Sequence, residues 1–161
     1  MIDPEDVVIF EPRGEGDLQG LHRLCMMHGR EMAPATVNPQ KVWETLRAAQ
    51  DSDKFTILLA GVDGQMVGYL ILHAVDWWFA TESFLTDMGL FVIPEFRGTA
   101  VFGELLESAK AVGDLKQMTV RLWITNPERR RGRMCKEAEL LGYTPLGSML
   151  AFPTDQPPLL N

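Results

Sequence analysis

The sequence predicts an α/β domain of the mixed α+β kind: a mixed sheet with helices on both faces. Three observations carry this expectation. The runs FTILLAGV and QMVGYLILHAV flank the dipeptide Asp63-Gly64, and two β-rich runs around an Asp-Gly turn are a strong hairpin signal. Val101, Leu105, Ala109 and Val112 keep one helical face apolar up to Gly113, as a helix packed on a sheet requires. Helices alternate with strands only in the second half of the chain, which argues against a doubly wound parallel sheet.

In chain order, the first strand is expected at Val7 to Glu11, VVIFE. Leu18, Leu21, Leu24 and Cys25 recur at three- and four-residue steps and mark a helix from about Gly16 to Arg30. The proline-containing loop APATVNP leads to a second helix at Gln40 to Gln50, and the hairpin follows. After the aromatic stretch Asp76-Trp77-Trp78-Phe79, the run Ser83 to Ile93 is the fourth strand. The helix ending at Gly113 comes next, then the strand MTVRLWIT. Asn126-Pro127 opens a last helix through Leu141, with Gly142 as its C-terminal cap. YTPLGSMLAF supplies the last strand or strands, and the tail PTDQPPLLN is too proline-rich for regular structure.

At 161 residues, without linker or repeat, the chain fits one domain spanning residues 1–161, with 153–161 an irregular tail. With 46% hydrophobic and 23% charged residues the composition is that of a soluble globule. A net charge of −7 argues against nucleic acid as a partner, because that affinity rests on Lys and Arg neutralising phosphates. No segment approaches the ~20 apolar residues of a membrane span. The acidic start MIDPEDVVIF lacks the basic, then apolar, pattern of a secretory signal, so a cytoplasmic setting is expected. Cys25 and Cys135 fall among apolar residues of expected helices and read as small buried hydrophobes rather than a disulfide pair.

The stretch LFVIP-EFRGTAVFGELL carries the clearest chemistry. A strand ending in proline turns through Arg97 and Gly98 into a helix, and the first N–H groups of a helix have no internal partner and favour a pyrophosphate. Backbone does such binding, so side chains matter by obstruction. Ala100 adds one methyl; Phe102 is the decisive residue, with its ring either in the core or in the phosphate path. Gly103, an interior helical glycine costing ~1 kcal/mol relative to alanine, marks a close approach. An ordinary strand-turn-helix is the bland alternative.

The order of elements, with VGYLIL, LFVIPEFRG, an asparagine after the fifth strand and LLGY, resembles the GNAT N-acetyltransferase superfamily from Val7 to Phe152. The resemblance implies a mostly antiparallel central sheet whose strands 4 and 5 splay around acetyl-CoA. It implies direct acetyl transfer to a primary amine of a small molecule or protein; relatives often form homodimers. Val92-Ile93-Pro94 matches the family's strand ending, and Arg97, Gly98, Thr99, Ala100, Val101, Phe102 and Gly103 span the cofactor signature. Ala100 and Phe102 stand where the family has glycine or another small residue. The resemblance further places the oxyanion donor among the backbone N–H groups of Leu90, Phe91 and Val92, and gives Asn126 the pantetheine arm; Asn126 could equally be a helix cap. The family's general-acid tyrosine aligns near Ala138, and that helix has no tyrosine, which leaves Tyr143, water or no group at all.

An amine of pKa near 10.4 needs a base before it attacks a thioester. Asp87 is the first candidate and Glu82 the second; His73 could also reach the acceptor site. The bland reading of such strand-end carboxylates is a solvated surface group. The run ERRRGR, Glu128 to Arg133, is either a solvated helix face or a contact to the 3′-phosphate of CoA. His22 and His28 fall on different helical faces, no metal site emerges, and Cys25 shows no basic partner. The Trp77-Trp78-Phe79 stretch is a binding wall, a subunit interface or core, and with Met26, Met27 and Trp43 it should set substrate choice. The alternative function is a catalytically inactive CoA-binding sensor or protein-interaction module.

Overall fold

A computed structural model of the chain describes residues 2–32, 36–123 and 128–146, with side chains from 132 onward in the last stretch. Its elements are β1 (Val7–Phe10), α1 (Glu15–Met32), α2 (Pro39–Gln50), β2 (Phe55–Val62), β3 (Gln65–Asp76), β4 (Ser83–Val92), α3 (Val101–Lys116), β5 (Thr119–Arg121) and α4 (Glu128–Leu140). The sheet runs β1-β2-β3-β4-β5; the first four strands are antiparallel to their neighbours, and β5 joins β4 in parallel. This is the mixed, mostly antiparallel sheet that the sequence implied.

Local chemistry explains the boundaries. Asn38 caps α2 by accepting the Lys41 N–H at 3.1 Å, with Pro39 at the first helical position. The β2–β3 turn has positive φ at both Asp63 (50°) and Gly64 (75°), the geometry that matches strand twist in a two-residue hairpin. In α3 the helix passes Gly113, where the sequence placed its end, and closes on Gln117 at φ 54°. Gly113 serves packing instead: a Cβ there would lie 2.6 Å from Val120 Cγ2 and 2.9 Å from the Met118 carbonyl. The N–H of Met118 bonds the Gly113 carbonyl at 2.9 Å, which ends the helix by the usual return bond.

Two expectations differ from the fold. Of the strand expected over Met118 to Thr125, only Thr119–Arg121 is strand among the described residues, because the parallel ladder there stops at Arg121; residues 124 and 125 lie outside the described residues. Residues 143–146 of the expected last strand are not strand, and the remainder of that segment, like the tail, lies outside the described residues.

Alternation along β3 sends consecutive side chains to opposite faces. A Cβ on Gly68 would meet Val101 Cγ1 at 3.4 Å, so Gly68, Leu70 and Leu72 face α3, where Val101, Leu105, Leu106 and Ala109 are fully buried. Tyr69 and Ile71 face the other way, toward α1 and α2, whose Leu18, Leu21, Leu24, Leu46 and Ala49 complete the core. Helices therefore cover both faces, and β4 lies between the two layers.

Candidate functional site

Two features of β4 create the site. Ile71 pairs with Gly89 while Leu72 pairs with Asp87, so Met88 is an extra, unpaired residue forming a bulge. Bulges bend a strand and re-aim its side chains, and they recur beside active sites. On the other edge, β5 pairs only with Phe84, Leu85 and Thr86. From Asp87 onward the strands part, and the segment Met88 to Val92 has no ladder partner on that edge among the described residues. A strand paired on one side leaves alternate N–H and C=O groups available; Leu90, Phe91 and Val92 lie in this segment.

Asp87 sits where the strands separate. Its Oδ1 accepts the N–H of Trp123 at 2.6 Å, a side-chain bond in place of the next ladder rung. Burial pushes its carboxyl above the ordinary carboxylate range, and the N–H bonds it accepts pull it back in part.

At the end of β4 the chain makes a 3-10 turn, Pro94–Phe96, then passes Gly98 at φ 80° into α3. Such a φ favours glycine. Thr99 Oγ1 donates to the Phe96 carbonyl at 2.7 Å and fixes the turn. The N-cap is Ala100, which offers no side-chain acceptor, so the helix lacks the cap that Ser, Asp or Asn supplies. Among the described residues, the Val101 N–H makes one long contact, 3.5 Å to Thr99 Oγ1. Phe102 is 6% exposed and belongs to the core, so its ring does not obstruct the helix start. Near Gly103 stands Glu137 Oε1, 3.4 Å from where a Cβ would be. Burial raises the Glu137 carboxyl and the Arg133 charge lowers it in part.

The arginines near this turn have different tasks. Arg97 donates from Nε to the Val92 carbonyl at 2.8 Å and from Nη2 to both oxygens of Glu31 at 2.7 and 2.8 Å. Its guanidinium also lies 5.3 Å from the Phe91 ring centre. It is thus a brace between the end of α1 and the end of β4. Arg133 of α4 brings the cation to the turn, with Nη1 3.4 Å from the Cβ position of Gly98. Uncapped helix N–H groups, a positive-φ glycine and an adjacent guanidinium fit a pyrophosphate.

Across the sheet, α1, α2, β3 and β4 enclose a cavity of about 370 Å³. Tyr69, Ile71, Met88 and Gly89 form its floor, so the bulge opens into it. Cys25, Val42 and Leu46 form walls, and Thr36, Asn38, Lys41 and Thr45 the rim. Tyr69 is 3% exposed, and its hydroxyl stands 3.2 Å from the Cβ position of Gly89. That hydroxyl lies 2.7 Å from His28 Nδ1 and donates to it when the imidazole carries its hydrogen on Nε2. The Cys25 thiol shares a hydrogen bond with the same side chain. Burial lowers the His28 pKa from 6.5, with Glu31 opposing and Arg97 adding to the shift. Burial likewise pushes the Cys25 thiol up to about 11 and the Tyr69 phenol well above its ordinary value. All three are neutral near pH 7. The sequence reading set Cys25 and His28 aside; the available signal was their spacing, since Leu21, Leu24, Cys25 and His28 continue one inward helical face.

Other sequence candidates lie apart from this arrangement. Glu82 is exposed in the loop before β4. His73 stacks on Phe55 at 4.4 Å. The hydroxyl of Tyr143 donates to the Leu106 carbonyl at 3.0 Å, and burial pushes its pKa to about 12. Trp77 packs under the Arg121 guanidinium at 4.4 Å, whereas Trp78 is 91% exposed. Both cysteines are free thiols. Asn126 lies outside the described residues. No helix among the described residues is long and apolar enough to cross a membrane.

No family model matches the chain, and no curated protein matches it in sequence. Solved structures match its fold. AAC(6')-Iy, in complex with the bisubstrate analog CoA-S-monomethyl-acetylneamine, is similar with a TM-score of 0.72 and 17% identity, over 93% of this chain and 99% of that one. An integron cassette protein from the mobile metagenome of Cole Harbour Salt Marsh gives 0.72 and 20%, over 96% and 93%. A GNAT family acetyltransferase from Staphylococcus aureus gives 0.66 and 14%, over 92% and 100%. The chain has the fold of the GNAT acetyltransferases; at these identities the likeness is one of fold.

Proposed function

We propose that the chain is an acetyl-CoA-dependent N-acetyltransferase that acts on the primary amine of a small molecule in the cavity between α1, α2 and β4. The bulge at Met88 carries this reading: it opens into the cavity on one side and begins the unpaired edge of β4 on the other. An acyl donor along that edge and an amine in the cavity meet at one short backbone segment, the arrangement that direct transfer needs.

The residues fit the donor. The N–H groups of Gly98 and of Ala100 to Gly103 and the Arg133 guanidinium would hold the pyrophosphate; Asn126, to which the resemblance gives the pantetheine arm, lies outside the described residues. Bound there, acetyl-CoA supplies the activated acyl thioester. An N–H of Leu90, Phe91 or Val92 on the open edge would receive the oxygen that becomes negative. Asp87 is the proposed base. Its raised pKa makes it a better proton acceptor than an exposed carboxylate, and it lies next to the bulge. Glu82, the second candidate, is exposed in the loop before β4, outside the cavity lining. Tyr143 has its hydroxyl bonded to the Leu106 carbonyl, so water is the proposed proton source for the departing thiolate.

Calorimetric titration with acetyl-CoA, followed by thiol release over a panel of amines, tests the reading. Expected are saturable binding weakened at least tenfold in Arg133→Ala, and amine-dependent release reduced about 10²-fold or more in Asp87→Asn. No binding at millimolar acetyl-CoA would sink the proposal. Binding without release for any amine would select the catalytically silent CoA sensor.

A further inference from the structure

The chemistry of the cavity narrows the acceptor, on the premise of the transferase reading above. Of 161 residues, 22 are Asp or Glu and the net charge is −7. Yet no carboxylate lines this cavity among the described residues. Its walls and floor are apolar at Val42, Leu46, Ile71 and Met88, and the buried polar groups facing it, Cys25 and Tyr69, are neutral near pH 7. Burying several ammonium groups against such a surface leaves each without a partner, which is costly. Polycations are therefore excluded by the lining.

Among the described residues, the one charged side chain on the lining is Lys41 at the rim. It is exposed, and no carboxylate lies within 4.0 Å of its ammonium among the described residues. An unpaired cation over an apolar cavity selects an anion on an apolar body. At the floor, the Tyr69 oxygen keeps acceptor capacity for an amine N–H beside Gly89, next to the bulge where transfer is proposed. A volume of about 370 Å³ is at the small end for ligand sites.

We propose that the acceptor is a small, largely apolar amine that also bears a carboxylate, with the carboxylate held by Lys41 and the amine directed to the Tyr69 and Met88 floor. The test uses the full chain at saturating acetyl-CoA and matched amines: phenylalanine against phenethylamine, leucine against isoamylamine, and 6-aminohexanoate against hexylamine. Sisomicin and spermidine serve as polycations. In at least one pair the carboxylated member should have a kcat/KM about tenfold higher, chiefly through KM. Lys41→Met, at an exposed position that does not carry the fold, should collapse that ratio toward one. The polycations should give no release above the amine-free rate. A polycation as the best acceptor, no advantage for any carboxylated amine, or a ratio unchanged in Lys41→Met would each overturn the inference. Parallel calorimetry separates the two levels. Acetyl-CoA binding with acetylation of sisomicin defeats this inference alone, whereas no acetyl-CoA binding, or binding with no release from any amine, defeats the transferase reading with it.

Discussion

On one face of the sheet, Val101, Phe102, Leu105, Leu106 and Ala109 of α3 close against Gly68, Leu70 and Leu72 and are all buried. On the other, α1 and α2 stand over Tyr69 and Ile71 but leave about 370 Å³ open, lined by a thiol and by a phenol that is hydrogen-bonded in turn to an imidazole. Both faces share β4. The closed face fixes the backbone of β4 and the start of α3, which a binding turn made of N–H groups requires. The open face accepts imperfect packing and buried polar atoms, the conditions under which a site can select a ligand.

The largest effect should come from breaking the closed face. Leu105→Ala should lower unfolding free energy by about 2–5 kcal/mol in a urea titration. A change below 1 kcal/mol would mean that α3 is not held as described. Tyr69→Phe cuts the open face's network, leaving His28 Nδ1 and Cys25 without the hydroxyl, and should cost about 1–3 kcal/mol. If stability rises instead, the buried network is not satisfied in the way the distances suggest.

Acid separates the two sides of β4 by sign. His28 has its folded pKa below the ordinary 6.5. The unfolded chain therefore takes up the proton first, and stability present above pH 6.5 falls as pH drops below it, by at most about 1.4 kcal/mol per pH unit. His28→Gln should remove that slope. Asp87 has its folded pKa above the ordinary 3.8, so the native state holds its proton more tightly. Acidification from the raised value down to 3.8 adds stability, and Asp87→Asn should abolish that gain. Urea titrations across pH on both variants check the signs.

The smallest effect belongs to the brace between the faces. Glu31→Gln breaks the partly exposed ion pair with Arg97 at 2.7 Å and should cost about 1 kcal/mol or less, diminishing with salt.

Much of the fold was legible because its signals are local. The Asp63-Gly64 turn, the inward stripe of α3 and the proline ending β4 each lie within one element or its boundary. Phe102 can be named from the sequence as the residue on which the turn depends, but only its neighbours place the ring in the core. The end of α3 was misread because Gly113 looks like a terminator from the chain alone, whereas its lack of a Cβ makes room for Val120. Arg97 drew attention as a signature residue, yet its guanidinium is bonded to Glu31, which is 66 residues earlier in the chain.

By itself the sequence determined the order of elements, the hairpin, the strand-turn-helix at Arg97 and Gly98, and the resemblance these carry, since periodicity and turn chemistry act over a few residues. Tertiary structure decided the bulge at Met88, the short pairing of β5, the meeting of Cys25 and His28 with Tyr69, and the approach of Arg133 to Gly98. Each of these depends on register or on side chains from separate elements. Distance along the chain hides such contacts until burial brings the elements together.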